Sequence, residues 1–172
     1  MEFSISDDRI WLPVHTKPRC EKKFFLFCDK YNVTAYLPLK VKLRSKGRGT
    51  VRSELPMFPG YVFACMNEAE KTTLSRTGHI VNYISLSKDQ EQRLCQDLKS
   101  IRILEGMQET EELFVSPEIE KGKEIIISAG PLRGLNGIVH RRKSAHRIVV
   151  NVEMISHSVV MELDVADVEL DL

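Results

Sequence analysis

The sequence has no hydrophobic run long enough to span a membrane. Its most apolar stretch, FFLFC, is followed at once by Asp29 and Lys30, whereas a membrane helix needs about 20 apolar residues. The first ten residues, MEFSISDDRI, carry acidic side chains where a secretory signal has a positive flank and an apolar segment. We therefore expect a cytoplasmic protein without a membrane partner.

The patterns that hold metals, nucleotides or catalytic groups are missing as well. None of the four cysteines forms a C-x-x-C pair, and the five histidines are scattered without ligand spacing. The nearest approach to a phosphate-binding loop, GPLRGLNG, precedes a predicted strand rather than a helix. We expect free thiols, no metal, no cofactor and no enzymatic activity.

Basic residues are absent from residues 106–120, which contain five Glu. Residues 1–105 hold 18 basic residues against 12 acidic ones, and residues 121–172 hold seven of each. Such a change of charge along the chain is typical of modules with different partners. It predicts an N-terminal domain over 1–105, an acidic linker over 106–120 and a C-terminal domain over 121–172.

The N-terminal part alternates between strand and helix periodicities. Residues 9–16 and 33–43 have the pattern of strands, whereas apolar residues recur at helical spacing from Cys20 to Tyr31. Residues 87–104 are predicted to form a second long helix, with Ser87 as N-cap and Gln90 three residues later. This order predicts an α+β domain, a mainly antiparallel sheet flanked by helices.

The C-terminal part contains short strand patterns only. Val159, Met161 and Leu163 alternate with other side chains at the period of a half-buried strand. About fifty residues of closely spaced strands joined by Gly, Pro and Asn turns predict a small closed β-barrel.

The segment PMFPGYVF, residues 56–63, concentrates aromatic rings around a Pro-Gly break. Strand alternation separates Phe58 from Tyr61 and Phe63, and a Pro-Gly pair can interrupt the ladder and redirect the rings. The rings either pack in the core or form a binding surface, and both interpretations are open at this point.

Several fragments resemble the NusG family of transcription elongation factors. WLPVHTKPRCEKK, YLPLKVKLR, PMFPGYVF and GHIVNYI resemble its N-terminal domain, and AGPLRGLNGIVHRRK with VVMELDVADVE resembles its KOW domain, an SH3-like five-stranded β-barrel. The resemblance covers residues 9 to 170. It implies a monomeric bacterial elongation or antitermination factor similar to the specialised paralogues RfaH, UpxY and LoaP. A housekeeping member acting with Rho or the ribosome is the alternative.

The resemblance implies two contacts with RNA polymerase. The clamp helices of the largest subunit would enter an apolar cavity at His15, Phe58, Pro59, Tyr61 and Phe63. We favour this dock for Phe58 and Tyr61, because exposed aromatic clusters are costly without a partner, and core packing for Met57 and Phe63. The opposite pincer would meet Lys71, Thr72 and Thr73, for which an ordinary helix surface is the alternative.

Two basic regions are candidate nucleic-acid contacts. Lys17 and Arg19 match positions that face DNA in the family. The second region is a Gly-rich basic loop over residues 44–50 with its flanking strands, and its cations are Lys40, Lys42, Arg44, Lys46, Arg48 and Arg52. Contact with phosphates of the non-template strand or of upstream DNA would be salt-dependent and weakly base-specific. A solvated hairpin tip is the alternative.

The KOW resemblance implies a second partner, either a small-subunit ribosomal protein or Rho. Leu132, Arg133 and Leu135 lie in the loop that would bind it, with one leucine pointing inward as a plug and the other available to the partner. Two core leucines in a hairpin loop are an equal alternative. The β-branched runs EIIIS and RIVVNV oppose helix, so we expect residues 118–172 to form a stable barrel. A rival function is a ribosome- or RNA-binding protein that uses HRRKSAHR.

Overall fold

A computed structural model describes residues 3–46, 49–108, 113–116, 123–126, 133–141 and 145–164 of the chain. The described residues form two compact units. The N-terminal unit contains residues 4–92, and the C-terminal unit contains Phe3 and the residues from Arg93 onward. Among the described residues, no helix has both the length and the apolar composition needed to cross a membrane.

The N-terminal unit is an antiparallel sheet with helices, as the sequence predicts. Strands β1, β2, β5 and β6 form one sheet in the order β2-β5-β1-β6, and β3 and β4 form a separate hairpin. Helix α3 begins in this unit and continues into the other. The elements are β1 (Ile10–Thr16), α1 (Glu21–Lys30), β2 (Thr34–Tyr36), β3 (Leu39–Lys46), β4 (Gly49–Pro56), β5 (Tyr61–Met66), α2 (Glu68–Ser75), β6 (Ile80–Tyr83) and α3 (Lys88–Gly106).

The two central strands of this sheet, β1 and β5, are buried on both faces. Leu12 and Val62 belong to the core cluster that includes Phe24 of α1. Trp11 and Phe63, which alternation places on the opposite face, are also buried. A sheet covered on both sides needs apolar residues at nearly every position, which accounts for the continuous burial of β5 from Val62 to Met66.

Reciprocal hydrogen bonds define the starts of α2 and α3. The Ser87 backbone N–H donates to Gln90 Oε1 at 2.9 Å, and the Gln90 N–H donates to Ser87 Oγ at 3.3 Å, which confirms the predicted N-cap. Asn67 and Glu70 form the same capping box at α2. Arg9 also holds Glu70, through Nε at 3.1 Å and Nη2 at 2.6 Å, so α2 is joined to the residue before β1.

The hairpin of β3 and β4 extends further toward its tip than predicted. Pairing runs from Leu39 opposite Pro56 to Lys46 opposite Gly49. Residues 44–46 and 49–50, predicted as part of a loop, therefore continue the ladder, because the alternating register of the strands persists through them. Residues 33–43, predicted as one strand, are divided into β2 and β3, with Pro38 between them, because proline cannot donate to a strand ladder.

The C-terminal unit contains the rest of α3 and a five-stranded antiparallel sheet in the order β7-β11-β10-β9-β8. Among the described residues no pairing joins β7 to β8, so the closed SH3-like barrel stays a prediction. The strands are β7 (Leu113–Ser116), β8 (Lys123–Ile126), β9 (Asn136–Arg141), β10 (Ala145–Val152) and β11 (His157–Asp164).

Leu113–Ser116 form strand β7, although the sequence predicts that these residues belong to an acidic linker. The strand pairs with β11, with Val115 opposite Val159 and Leu113 opposite Met161. Four residues between Glu112 and Pro117 are too few to display a strand period. The strand forms because it pairs with β11, about 45 residues later in the chain, and a local sequence pattern does not reveal such a partner.

A polar cavity of about 330 Å³ lies between α3 and the sheet within the C-terminal unit. Its edges include Arg93, whose Nη1 is 4.0 Å from Glu153 Oε2, and Asn136, whose N–H donates to Ser100 Oγ at 3.1 Å. Burial and then the nearby Glu153 carboxylate raise the pKa of Asp97 to about 8. The uncharged form of Asp97 is thus favoured in this cavity near neutral pH.

We expect Asp97→Asn to stabilise the protein more at about pH 8 than at about pH 5. Native Asp97 keeps its proton up to about pH 8, whereas the unfolded residue loses it near 3.8. Between these values the native state binds more protons, so wild-type stability falls as pH rises, and asparagine removes that contribution. Urea unfolding followed by circular dichroism measures the free energy of unfolding of both proteins at the two pH values. The same pH dependence in both proteins would contradict the expectation.

Candidate functional site

The end of β1 and the start of β5 bring two aromatic side chains together. His15 lies directly opposite Tyr61 in the antiparallel register. Their rings stack with centroids 5.2 Å apart and planes inclined by 21°, and both residues are half-buried. Each ring therefore has one side supported by its neighbour and part of its surface open to a partner.

The turn before β5 sets the position of this pair. Gly60 has φ +86°, a left-handed conformation that residues with a Cβ rarely adopt. Its carbonyl accepts a hydrogen bond from the Thr16 N–H at 2.8 Å, and the Tyr61 N–H donates to the Phe58 carbonyl at 3.1 Å. The Pro-Gly break thus forms a tight, hydrogen-bonded turn beside β1, and Pro59 is exposed at its tip.

The structure corrects the predicted membership of the dock. Phe58 is 1% exposed and Phe63 0% exposed, with their rings in an edge-to-face contact at 6.0 Å. The expectation that Phe58 lies on the binding surface is wrong, because the turn directs its ring inward. For Phe63 and Met57 the core alternative is confirmed. The surface left for a partner is His15, Pro59 and Tyr61, which we call the aromatic ledge.

Glu21, the first residue of α1, supports the ledge from within. It is 6% exposed, and its Oε1 accepts a hydrogen bond from the Gly60 N–H at 2.7 Å. No local signal in the sequence indicates this role, since an acidic residue in a first helical turn is explained by the helix dipole alone. The buried Thr16 hydroxyl has no hydrogen-bond partner among the described residues.

Lys17 and Arg19 lie in the turn that leaves β1, a few residues after His15. Both are exposed, and Arg19 has a left-handed φ of +62°. The Lys17 N–H donates to the His79 carbonyl at 2.8 Å, and the Cys20 N–H donates to the Lys17 carbonyl at 3.0 Å. The backbone of this turn is therefore ordered by hydrogen bonds while its two cations face solvent.

The cations of the β3–β4 hairpin are divided between its two faces. Lys40 and Lys42 occupy alternate positions of β3 and so share one face. Arg52 is opposite Leu43 in the register, which places it on the other face. Lys42 and Arg52 are exposed and Lys40 is half-buried. Arg44 and Lys46 lie in β3, but their side chains and all of Arg48 are outside the described residues.

The polar groups of Lys71, Thr72 and Thr73 are engaged within α2. The Thr72 and Thr73 hydroxyls donate to the Glu68 and Ala69 carbonyls at 2.9 and 3.0 Å. Lys71 Nζ is 2.6 Å from Glu68 Oε1. Both threonines are exposed, so a polymerase contact at these positions stays a prediction.

Of the three residues predicted to bind a partner in the C-terminal loop, the structure describes two, one buried and one exposed. Leu135 is 0% exposed, so its assignment to a partner-binding surface is wrong and it belongs to the core of its unit. Arg133 is exposed and stays a candidate contact. Leu132 lies outside the described residues. Among the described residues, no group of three or more histidine, cysteine, aspartate or glutamate side chains could hold a metal ion.

Comparison with known proteins yields one family match. The family model described as "NusG: Transcription termination factor nusG" matches residues 9–104, which is 96 of the 172 residues. The matched region includes β1, the Pro-Gly turn and the whole aromatic ledge. No curated protein matches the chain.

Proposed function

Since the chain belongs to the NusG family of transcription factors, we propose that it binds RNA polymerase through the aromatic ledge and promotes transcription elongation. The observation that carries the proposal is the stacked, half-buried pair of His15 and Tyr61. It lies within the matched region, at positions where the family resemblance implies a dock for the clamp helices of the polymerase. The chemistry is binding, and no reaction is assigned to the chain.

The ledge has the composition of a protein-binding site. Tyrosine supplies a large contact area with few rotatable bonds and a polar end that tolerates water. Pro59 is exposed at the turn and adds rigid apolar surface. Phe58 and Phe63 are buried and would not contact the partner. A helix tip could therefore lay apolar side chains across His15 and Tyr61 without requiring the turn to open.

Clamp binding would act on transcription by shifting a conformational equilibrium. A factor with higher affinity for the closed clamp increases the population of that state, and couplings of about 1–3 kcal/mol are usual. Contact of Lys71, Thr72 and Thr73 with the opposite pincer would bridge the DNA cleft and strengthen the same bias. Paused states, which need the clamp to open, would become less populated, and termination would be suppressed.

Within the family we favour an operon-specific antiterminator of the specialised paralogue kind. The C-terminal unit would form the KOW barrel and recruit the second partner, either a small-subunit ribosomal protein or Rho, through a surface that includes Arg133. Its five antiparallel strands are compatible with this assignment. A housekeeping role with Rho or the ribosome is the alternative.

The test of the proposal is a binding competition between two large partners. The full chain, carrying a fluorescent label, is mixed with purified RNA polymerase core enzyme or with purified small ribosomal subunits, and the complexes are separated by gel filtration. We expect comigration with the polymerase and fewer pauses in a single-round transcription assay. Binding to the ribosomal subunit alone would favour the RNA-binding alternative and overturn the proposal.

Lys40 and Lys42, which share one face of the hairpin, are proposed to contact DNA phosphates. We expect the double variant Lys40→Gln/Lys42→Gln to bind a DNA duplex with a flatter salt dependence. Each lost phosphate contact should reduce the slope of log K against log salt by about 0.9. Fluorescence anisotropy at several salt concentrations measures the slope.

The matched control for this experiment is Arg76→Gln/Lys88→Gln. It removes the same charge from two exposed positions of the same unit, outside the hairpin. If the control flattens the slope as much as the hairpin variant does, net charge rather than the hairpin face controls DNA binding.

A further inference from the structure

We propose that Glu21 is a positioning residue of the aromatic ledge, whose buried carboxylate holds the Pro-Gly turn in the conformation that a partner recognises. The inference rests on the proposed function, because the ledge must bind a partner for its orientation to matter. Glu21 itself does not belong to the proposed contact surface, since its side chain is buried beneath the turn.

Glu21 places a carboxylate where burial is costly. A carboxylate removed from water is unfavourable unless it is hydrogen-bonded, and Glu21 is only 6% exposed. Its Oε1 accepts the Gly60 N–H at 2.7 Å, within the short range typical of charge-assisted bonds, which are about twice as strong as neutral ones. Its position at the start of α1 adds a favourable interaction with the helix dipole.

Hydrogen bonds hold Gly60 from both sides. Its N–H is bonded to Glu21, and its carbonyl accepts the Thr16 N–H at 2.8 Å. Glycine has the largest backbone freedom of any residue, so these two bonds remove most of the motion available at this position. Tyr61 follows directly in the chain, which means that its place opposite His15 depends on the orientation of Gly60.

The Pro-Gly turn closely approaches the ring of His15. A Cβ built on Gly60 would lie 3.6 Å from His15 Cδ2 and 3.7 Å from His15 Nε2, so the backbone of the turn lies against the imidazole. Displacement of Gly60 would alter the support of His15 as well as the position of Tyr61. The hydrogen bond from α1 therefore contributes to the geometry of both stacked rings, together with the β1–β5 pairing.

Glu21 thus acts by preorganisation. Without its carboxylate, the ledge keeps the same rings but samples more orientations, and a partner has to order them during binding. Ordering costs of this kind reach about tenfold in affinity for one flexible segment. The role differs from a contact role, in which the lost surface would lower affinity without changing the turn.

Three variants of the full chain test the inference. Glu21→Ala removes the acceptor. Glu21→Gln keeps an amide oxygen of the same reach but loses the charge. Asp29→Ala removes an exposed carboxylate from the same helix and serves as the matched control. Affinity for RNA polymerase core enzyme is measured by fluorescence anisotropy, and the exchange rate of the Gly60 amide proton is measured by NMR.

We expect Glu21→Ala to lose about tenfold in affinity and to expose the Gly60 amide to exchange. Glu21→Gln should be intermediate in both measurements, and Asp29→Ala should resemble the wild type. If Glu21→Ala does not fold, Glu21→Gln carries the test. A Gly60 amide that exchanges at the wild-type rate in the folded variants, or unchanged affinity despite faster exchange, would overturn the inference.

The variant Tyr61→Ala distinguishes failure of the proposed function from failure of the positioning role of Glu21. If that variant binds the polymerase as tightly as the wild type, the ledge is not the dock and the proposed function fails, whatever Glu21 does. If Tyr61→Ala weakens binding while Glu21→Ala does not, only the positioning role of Glu21 is lost.

Discussion

Tyr61→Ala should weaken binding to RNA polymerase by about 30-fold or more, the size of an interface hot spot of about 2 kcal/mol. Tyr61 is the half-buried ring stacked on His15 at the end of the sheet, so its removal deletes the centre of the aromatic ledge. The fold should be retained, because the core cluster of the unit does not include Tyr61. The loss of the stacking contact costs about 0.5–1.5 kcal/mol of stability.

Two variants make this result specific. Tyr61→Phe keeps the ring and should retain most of the affinity. Tyr31→Ala removes another tyrosine of the same unit and should leave the affinity unchanged. Tyr31 directly follows α1 and is 44% exposed. Affinity measured by anisotropy is compared with the urea midpoint of each variant. Equal losses of affinity in Tyr31→Ala and Tyr61→Ala would contradict the assignment of the ledge.

The second large effect is expected on stability. Phe63→Ala should lower the free energy of unfolding by about 3–5 kcal/mol, the usual cost of deleting a buried phenylalanine. Phe63 is 0% exposed and packs edge-to-face on Phe58, so truncation leaves a cavity and removes an aromatic pair. Urea unfolding followed by Trp11 fluorescence measures the change, because Trp11 lies in the same sheet.

Phe63→Leu separates the core role from a contact role. Leucine retains an apolar side chain in the core, so the protein should stay folded with a loss smaller than that of alanine. Because the ring of Phe63 does not reach the surface, polymerase affinity of the folded Phe63→Leu protein should be close to that of the wild type. A fall in affinity as large as that of Tyr61→Ala would place Phe63 on the dock after all.

Local signals in the sequence were sufficient where the interactions that stabilise an element are local. The start of α3 is an example, because Ser87 and Gln90 hydrogen-bond each other across three residues. The base of the hairpin is another, since β3 and β4 are adjacent in the chain and pair with each other, whereas residues 44–46 and 49–50 near its tip were predicted as loop. Such elements contain their own partners within a short segment.

The burial of the aromatic segment was not predictable in the same way. Alternation states which residues share a face, but it does not state whether that face is covered. Since β1 and β5 are buried on both faces, Phe63 and Val62 are equally enclosed although they lie on opposite sides. The turn then places Phe58 in the core as well, which no periodicity within residues 56–63 indicates.

Long-range partners account for the remaining differences. β7 is a strand because β11 pairs with it, Leu135 is buried within the C-terminal unit, and Glu21 contacts Gly60 from 39 residues away in the chain. None of these contacts has a local pattern, because each depends on how distant segments meet. A search for acidic residues able to reach a glycine with positive φ would have identified Glu21 only once the turn was known.

The sequence by itself determined the family, the α+β class, helices α1 and α3 of the N-terminal prediction and the position of the turn that carries Tyr61. Only the tertiary structure decided which rings near that turn are exposed, and that a carboxylate from α1 holds the turn in place. The physical reason is that hydrophobic periodicity and capping act over a few residues, whereas burial and the pairing of a buried charge are properties of segments that approach each other in space.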